Sequence, residues 1–431
     1  MIRSLSRLTP TINSIMSHMC YPRSRLMSTH QVEKKIRNDT YNALIFKLAG
    51  RKEIYLVGGY IRNAFRGIDS PDRDYIFRGK IIDFVKQIQK LTNGTIVEFK
   101  KKQTIRLILS NHYTFDFSQL KGQLKRNLSK RDFTLNSMAW SPETGIIDFE
   151  NGISDLCDGI VRCISFKNMI DDPVRMMRAY RFAAEINGKV DDSTRETIKR
   201  YHKRIITATS ERITLELFHL LNTNNSSREL MNALNDKILP LVLSCSEKTL
   251  FSNIKAIHEL ENELLYHIPD YIKAKLQTLF SQNLTFKGLL CLETLQLNNQ
   301  GQRIMSTLTL SKKIRKRLSA VSAGIQKLMK LKEIERHHLF KLFQISGDAA
   351  SDIIILSGKL NYLRDLEIYR KITEKNIISA NALTDTFGIK SGPQIGKMIQ
   401  LLKEAQFLGF VKSRKDAIDF INKNLMENNL T

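Results

Sequence analysis

Aspartate and glutamate are absent from residues 1–31, which carry instead four arginines (Arg3, Arg7, Arg23, Arg25) and six serines. An acid-free, Arg- and Ser-rich start is the composition of a mitochondrial transit peptide and stands outside the fold. The run "RLMST" sets Arg25 three residues before Ser28, an arrangement suited to processing after Met27. The same residues also suit a disordered basic arm or an unused upstream start. Initiation at Met16, Met19 or Met27 would add a cytoplasmic form. Cysteine is scarce, and the five present (Cys20, Cys157, Cys163, Cys245, Cys291) form no CxxC pair, which excludes a zinc knuckle or a disulfide framework and suits a reducing compartment. No run of about 18 apolar residues occurs, so no helical membrane span and no membrane partner are expected. The Walker A pattern GxxxxGK[ST] and the dinucleotide pattern GxGxxG are both missing. "ERHHLF" offers His337 and His338 without the aspartate of an HD metal dyad.

Acid is also short over the whole chain. With 68 Lys and Arg against 43 Asp and Glu, the net charge is 68 − 43 = +25, which favours a polyanion such as nucleic acid or an acidic membrane face. The general abundance of Lys, Asn and Ile accounts for part of that excess. At 431 residues and 42% hydrophobic content, the chain can fill two to four domain cores. A helical pattern over "QVEKKIRNDTYNALIFKLAG" leads into the β-rich runs "EIYLVG", "DYIF", "GTIVEF", "TIRLILS" and "YTFDFS", with the helical "IIDFVKQIQKL" between the second and third. That pattern predicts a small mixed α/β domain. After residue 165, segments such as "PVRMMRAYRFAAEI" and "ERITLELFHLL" show helical spacing. Turn-forming clusters at 222–227 and 356–361 mark candidate boundaries. The expected order is a leader (1–31), an α/β head (32–152), and helical segments 153–225, 226–335 and 336–431.

The chemistry concentrates in "YLVGGYIRNAFRGIDSPDRDYIF", residues 55–77. On a strand, residues two apart share a face, so Asp72 and Asp74 aim two carboxylates at one spot about 7 Å apart along the chain. Such hard oxygen ligands suit Mg²⁺ with substrate phosphates, although an isolated Asp-x-Asp is also common on solvated loops. Gly58 and Gly59 end the apolar run "IYLV" and open a helix whose bare N–H groups can cradle phosphate, with Arg62 adding charge. Together these features describe a nucleoside triphosphate bound through Mg²⁺, with phosphoryl transfer as the reaction.

Further motifs follow in order: "KRDFTLN" (130–136), "DLCDGIVR" (155–162), "DDPVRMMRAYRF" (171–182) and "SERITLEL" (210–217). In this order they resemble the class II tRNA nucleotidyltransferase and bacterial poly(A) polymerase family of the polymerase β superfamily, strongly over about residues 50–217 and more loosely over the last 45. The resemblance implies a polymerase β-like mixed sheet followed by an all-α neck, body and tail. It implies template-independent addition of CCA to tRNA 3′ ends from CTP and ATP. The same chemistry would serve a CC-only or A-only enzyme, a poly(A) polymerase or, if activity were lost, an RNA-binding paralogue. By the resemblance, Asp72 and Asp74 are catalytic and hold the metal, Gly58, Gly59 and Arg62 hold triphosphate, and Arg131 and Asn136 steady it. Asp132 contacts the ribose, and Asp172 with Arg175 reads the base from segment 153–225.

Read from the residues, Asp172 and Arg175 share a helix face, and a carboxylate beside a guanidinium matches the Watson–Crick edge of C or A. Arg178 and Arg181 extend that arginine spacing into a basic stripe. Asp155, Gly159 and Arg162 fit the family's hinge. "SERITLEL" needs only Ser210 as a helix cap with Arg212 and Glu216 exposed, and no chemistry is expected of it. Departures from the family are Asn63, Lys130 and Asp171 where Asp, Arg and Glu are usual, and a short segment before "KRDFT". Asp116 is a candidate third carboxylate beside Asp72 and Asp74. The basic clusters 121–131 and 312–317 are candidate phosphate-backbone contacts, and the tail is expected to engage tRNA.

Overall fold

The computed structural model describes residues 26–99, 104–297, 306–389 and 392–428, so most of the leader segment lies outside the described residues. Two compact units divide the chain, Met1–Glu247 and Lys248–Thr431. No helix among the described residues is long and apolar enough to cross a membrane.

The first unit opens with α1 (Thr29–Asn38), started by a reciprocal capping box: Ser28 accepts from the Gln31 N–H and the Gln31 side chain accepts from the Ser28 N–H. Residues 28–31 are thus the ordered beginning of this helix. There follow α2 (Thr40–Ala49), β1 (Ile54–Val57), α3 (Gly59–Phe65), β2 (Asp72–Phe77), α4 (Ile81–Thr92), β3 (Thr95–Phe99), β4 (Thr104–Ile108), β5 (Thr114–Gln119), α5 (Leu124–Leu128), β6 (Met138–Ser141) and β7 (Gly145–Asp148). The seven strands form one sheet in the order β3-β4-β5-β2-β1-β6-β7. Only the β2–β5 pair is parallel, so the sheet is mixed as expected.

Alternation along β2 sorts the site from the core. Tyr75 and Phe77 face α2 and α4: Phe46 meets Tyr75 edge-on at 6.2 Å, and Phe84 stacks on Phe77 at 4.4 Å. Ile76 faces the other side, packed with Val57, Ala139, Leu120, Leu124 and Leu128. Asp72 and Asp74 belong to that second face.

The strands β6 and β7, in "MAWSPETGIID", were not among the strand runs read from the sequence. All four residues of β6 are buried, and a fully buried strand of that length shows no alternation to detect. "KRDFTLN", which read on its own suggests a polar-started amphipathic helix, forms instead a turn and a single 3₁₀ turn at Thr134–Asn136.

Beyond the sheet, α6 (Gly152–Asp158) and β8 (Ile160–Val161) lead to α7 (Phe166–Asp171), α8 (Val174–Glu185), β9 (Lys189–Val190), α9 (Asp192–Tyr201), α10 (Ser210–Leu221) and α11 (Ser226–Asn235). At the hinge motif, Gly159 ends α6 with φ +68°, and Arg162 spans Asp155 at 3.1 Å and Asp191 at 2.5 Å. β8 and β9 pair in parallel, and Gly188 lies against the Gly159 carbonyl. The second unit is mostly helical; its last helices share a core that includes Leu383, Met398, Leu402, Ala417 and Ile421.

A Cβ at Gly188 would run into the Gly159 carbonyl oxygen, a main-chain atom that can move only if β8 and β9 part. Gly188→Ala is expected to lower stability by roughly 1–3 kcal/mol, the usual cost of overpacking. Urea unfolding of the variant checks this, and an unchanged midpoint would refute it.

Candidate active site

The three acidic residues converge. β2 and β5 run parallel with Asp74 registered against Asp116, while Asp72 lies two residues along the same face of β2. Asp116 is held by a two-pronged contact from Arg106, with Nε–Oδ1 and Nη2–Oδ2 both at 2.7 Å. Between the two aspartates, Arg73 points to the opposite face and is 3% exposed. There it pairs with Asp39 at 2.5 Å inside a ring of Tyr41, Tyr60, Tyr113 and Phe115.

Burial pushes the Asp74 carboxyl above its usual range; Arg131 opposes this, while Asp116 and Asp72 add to it. Three carboxylates on one face, one of them kept from ionising chiefly by burial and further by its neighbours, suit a divalent cation, which binds carboxylate oxygens and brings positive charge.

Gly58 is required twice at this point. Its φ of +82° is a left-handed conformation, and a Cβ there would lie 2.5 Å from Arg131 Nη1 and 2.9 Å from Asp74 Oδ2. Gly59 lies next to the Arg62 guanidinium. Arg62 itself is buried, not a free cation on the helix surface: it donates to Asn136 Oδ1 and to Asn63 Oδ1 (3.0 and 3.3 Å), and stacks over Phe182 at 4.6 Å. The Asn63 departure thus gives Arg62 an amide partner. Burial draws Arg62 down to about 10, against the pull of Glu185.

Asn136 passes the chain of bonds to Asp132, whose Oδ1 accepts from Asn136 Nδ2 (3.0 Å) and the Phe133 N–H (2.8 Å). Oδ2 of Asp132 accepts from Arg178 of α8 at 2.8 Å. Burial alone would raise Asp132, but Arg178, Asn136, the Phe133 N–H and Arg175 outweigh it and hold the carboxyl down at about 2.

The expected basic stripe is paired inward. Arg178 reaches Glu216 at 3.3 Å, and Arg181 reaches Glu216 at 2.6 Å and Glu185 at 2.7 Å. Glu216 is correspondingly buried at 7% exposure, contrary to the exposed position read from "SERITLEL". Two guanidinium groups on one helix face need a counter-charge from the facing helix, and α10 supplies it. Ser210 is the first residue of α10 and not its cap; Thr209 holds that position.

Asp172 caps the end of α7 and lies outside α8, so it does not share a helix face with Arg175 as read from the sequence; the break between the two helices still leaves the side chains 3.7 Å apart. It is also gripped by Arg212 of α10, which sequence reasoning passed over because the two are 40 positions apart. Arg131 touches both halves of the site: its Nη1 lies 3.9 Å from Asp74, and its carbonyl accepts from Arg175 at 3.4 Å. In the cluster 121–131, Lys121, Lys125, Arg126 and Lys130 are exposed. In the second unit's cluster, Lys312, Lys313, Arg315 and Lys316 are exposed, but Arg317 is buried, paired with the buried Glu293 and Asp352 and with the exposed Asp348.

Because Asp132 is held near 2 against an ordinary 3.8, its contribution to stability is complete above about pH 4 and is lost as pH falls through about 2. That shift corresponds to roughly 2 kcal/mol. Asp132→Asn is expected to lose about that much at about pH 7, and the gap to the native protein should close toward about pH 2.5. Denaturant titrations at both pH values measure it, and a gap independent of pH would refute the ionic role.

The family described as "Poly A polymerase head domain" matches residues 116–162, from Asp116 through the "KRDFTLN" motif to Arg162. The chain is 33% identical over 188 residues to a CC-adding tRNA nucleotidyltransferase of Synechocystis, an alignment covering 43% of this chain and 45% of that one. It is 24% identical over 396 residues to a CC-adding tRNA nucleotidyltransferase of Geobacter sulfurreducens (86% and 91% covered). Against a CCA-adding enzyme of Lactococcus lactis it is 24% identical over 406 residues (87% and 93%). Among solved structures, the Thermotoga maritima CCA-adding enzyme complexed with tRNA shares the fold at TM-score 0.71 and 18% identity, covering 93% of this chain and 99% of that one. With the motifs placed as described, the chain is similar nearly end to end to CC-adding and CCA-adding tRNA nucleotidyltransferases, and its residues 116–162 match the poly(A) polymerase head domain.

Proposed function

We propose that the protein adds CCA to tRNA 3′ ends from CTP and ATP, without a nucleic acid template. The observation that carries this reading is Arg131, whose side chain stands beside Asp74 while its carbonyl holds Arg175. One residue thereby sets the distance between the acidic cluster and the Asp172–Arg175 pair. In this reading Asp72 and Asp74 hold Mg²⁺, and Asp116, fixed by Arg106, completes the acidic face. Mg²⁺, when bound, lowers the pKa of an attacking hydroxyl and offsets triphosphate charge.

Gly58 and Gly59 let the triphosphate approach the backbone, and Arg131 and the amide-bound Arg62 supply positive charge. Asp132 checks the ribose, and Asp172 with Arg175 presents acceptors and donors to C or A. The exposed lysines and arginines of 121–131 and 312–316 meet the RNA backbone.

A second reading, arrest after two cytidines, is favoured by the two relatives named as CC-adding enzymes. Purified protein incubated with tRNA transcripts lacking CCA, lacking only the terminal A, or complete separates the possibilities by product length. CCA addition extends the first two and spares the third. A CC-only enzyme stops one short, an A-only enzyme extends only the second, and a poly(A) polymerase lengthens the complete one. Asp72→Ala with Asp74→Ala is expected to cut incorporation by on the order of 10³-fold or more while the far-UV spectrum stays native. Full activity in that double variant would refute the mechanism.

We further propose import into the mitochondrial matrix, on the acid-free leader and on Ser28, which would remain to cap α1 after processing at Met27. Incubation with isolated mitochondria should yield a protease-protected product beginning near Ser28. Persistence of the unprocessed, protease-sensitive chain would overturn this.

A further inference from the structure

Asp172, placed above as a base reader, has both oxygens engaged by a residue of another helix. Arg212 of α10 donates Nη1 to Oδ1 and Nη2 to Oδ2, each at 2.8 Å. Arg175 is committed elsewhere: its Nη1 donates to the carbonyls of Asn168 at 3.2 Å and Arg131 at 3.4 Å, leaving Nε 3.7 Å from Asp172. The Asp172 side chain is 28% exposed and that of Arg212 48%. An ion pair so open to water adds little to stability, so its geometry is the more telling property. A planar guanidinium gripping a carboxylate with two parallel bonds fixes the carboxylate plane, which a lysine cannot do.

We propose that Arg212 is a specificity-determining positioning residue, holding the Asp172 carboxylate as a fixed acceptor for the exocyclic amino group of cytosine or adenine. This rests on the reading of Asp172 and Arg175 as base readers. Each carboxylate oxygen has two lone pairs; Arg212 uses one on each, leaving the second free to meet a base. Cytosine and adenine present an amino donor at that edge, whereas uracil and guanine present a carbonyl. A carboxylate locked in plane meets that carbonyl acceptor to acceptor, and the wrong base is rejected by the unmade hydrogen bond and by repulsion. Released from Arg212, the carboxylate turns about its side-chain bond, and water can bridge it to a carbonyl. Arg212 therefore acts on selection more than on the transfer step.

The test uses the full chain, a tRNA transcript lacking CCA, and each of the four nucleoside triphosphates singly, with kcat and KM measured for Arg212→Ala, Arg212→Gln and Arg212→Lys. The expected result is a fall of about tenfold or more in the preference for CTP over UTP, corresponding to one charge-assisted hydrogen bond. Arg212→Lys, which keeps the charge and loses the fork, should recover only part of that preference. The ATP over GTP preference, measured on a transcript ending in CC, should fall in parallel. If all four nucleotides slow together with the preference intact, Arg212 merely braces α10 and the proposal fails. The Gln and Lys variants keep most of the side-chain stem and decide the question should the Ala variant unfold. Asp172→Ala separates the two layers: retained preference there refutes base reading by Asp172. Lost preference there, with preference retained in every Arg212 variant, refutes the role of Arg212 alone.

Discussion

A buried carboxylate joins the sheet to the helices that follow it. Asp132 accepts the Asn136 amide and the Phe133 N–H from its own segment and the Arg178 guanidinium from α8. A charge taken out of water must be matched on every side, and here the matching spreads outward: Arg178 turns to Glu216, Glu216 to Arg181, and Arg181 to Glu185. Removing any one member leaves a neighbour buried and unmatched, so the position of α8 relative to α10 and to the segment leading into β6 is determined electrostatically as well as by packing. Arg175 lies in the first turn of that helix and Asp172 just before it, so the pair inherits its position.

Arg62 shows the opposite arrangement. It is buried as deeply, yet its direct partners are the neutral amides of Asn63 and Asn136 and the face of Phe182. Arg178 and Arg181 also lie over Phe182, at 5.3 and 3.9 Å, so one ring serves three guanidinium groups. Arg178 and Arg181 are matched by Asp132, Glu216 and Glu185, so Arg62, beside Gly59, is the guanidinium of the three whose direct hydrogen-bond partners are neutral. On the far face of β2, Arg73 pairs with Asp39 among four aromatic rings, which anchors the strand between its two aspartates, although its buried Nε has no hydrogen-bond partner.

Much of this was legible in the chain. Five of the seven strands, α4, and the pairing of Asp72 with Asp74 on one face follow from period-2 and period-3.6 patterns, which are local properties. Asp116 beside Asp74 was a guess about two strands that only their register could decide. β6 escaped because all its residues are buried, and Glu216 was misplaced because an acid at helical spacing looks the same whether it faces water or two arginines. Arg317 misled for the same reason, lying in a basic run yet turned inward to Glu293 and Asp352.

The sequence by itself determined the residue types and their local spacing: the glycine pair, the alternating aspartates, the Asp172–Arg175 step and the acid-free start. These are set by the geometry of single strands and helices, which repeats every two or 3.6 residues. Tertiary structure alone decided which charges meet. Asp132 with Arg178, Glu216 with two arginines, and Arg212 with Asp172 join positions 46, 38, 35 and 40 apart. Side chains that distant meet only when packing brings their helices together, and no local period records that meeting.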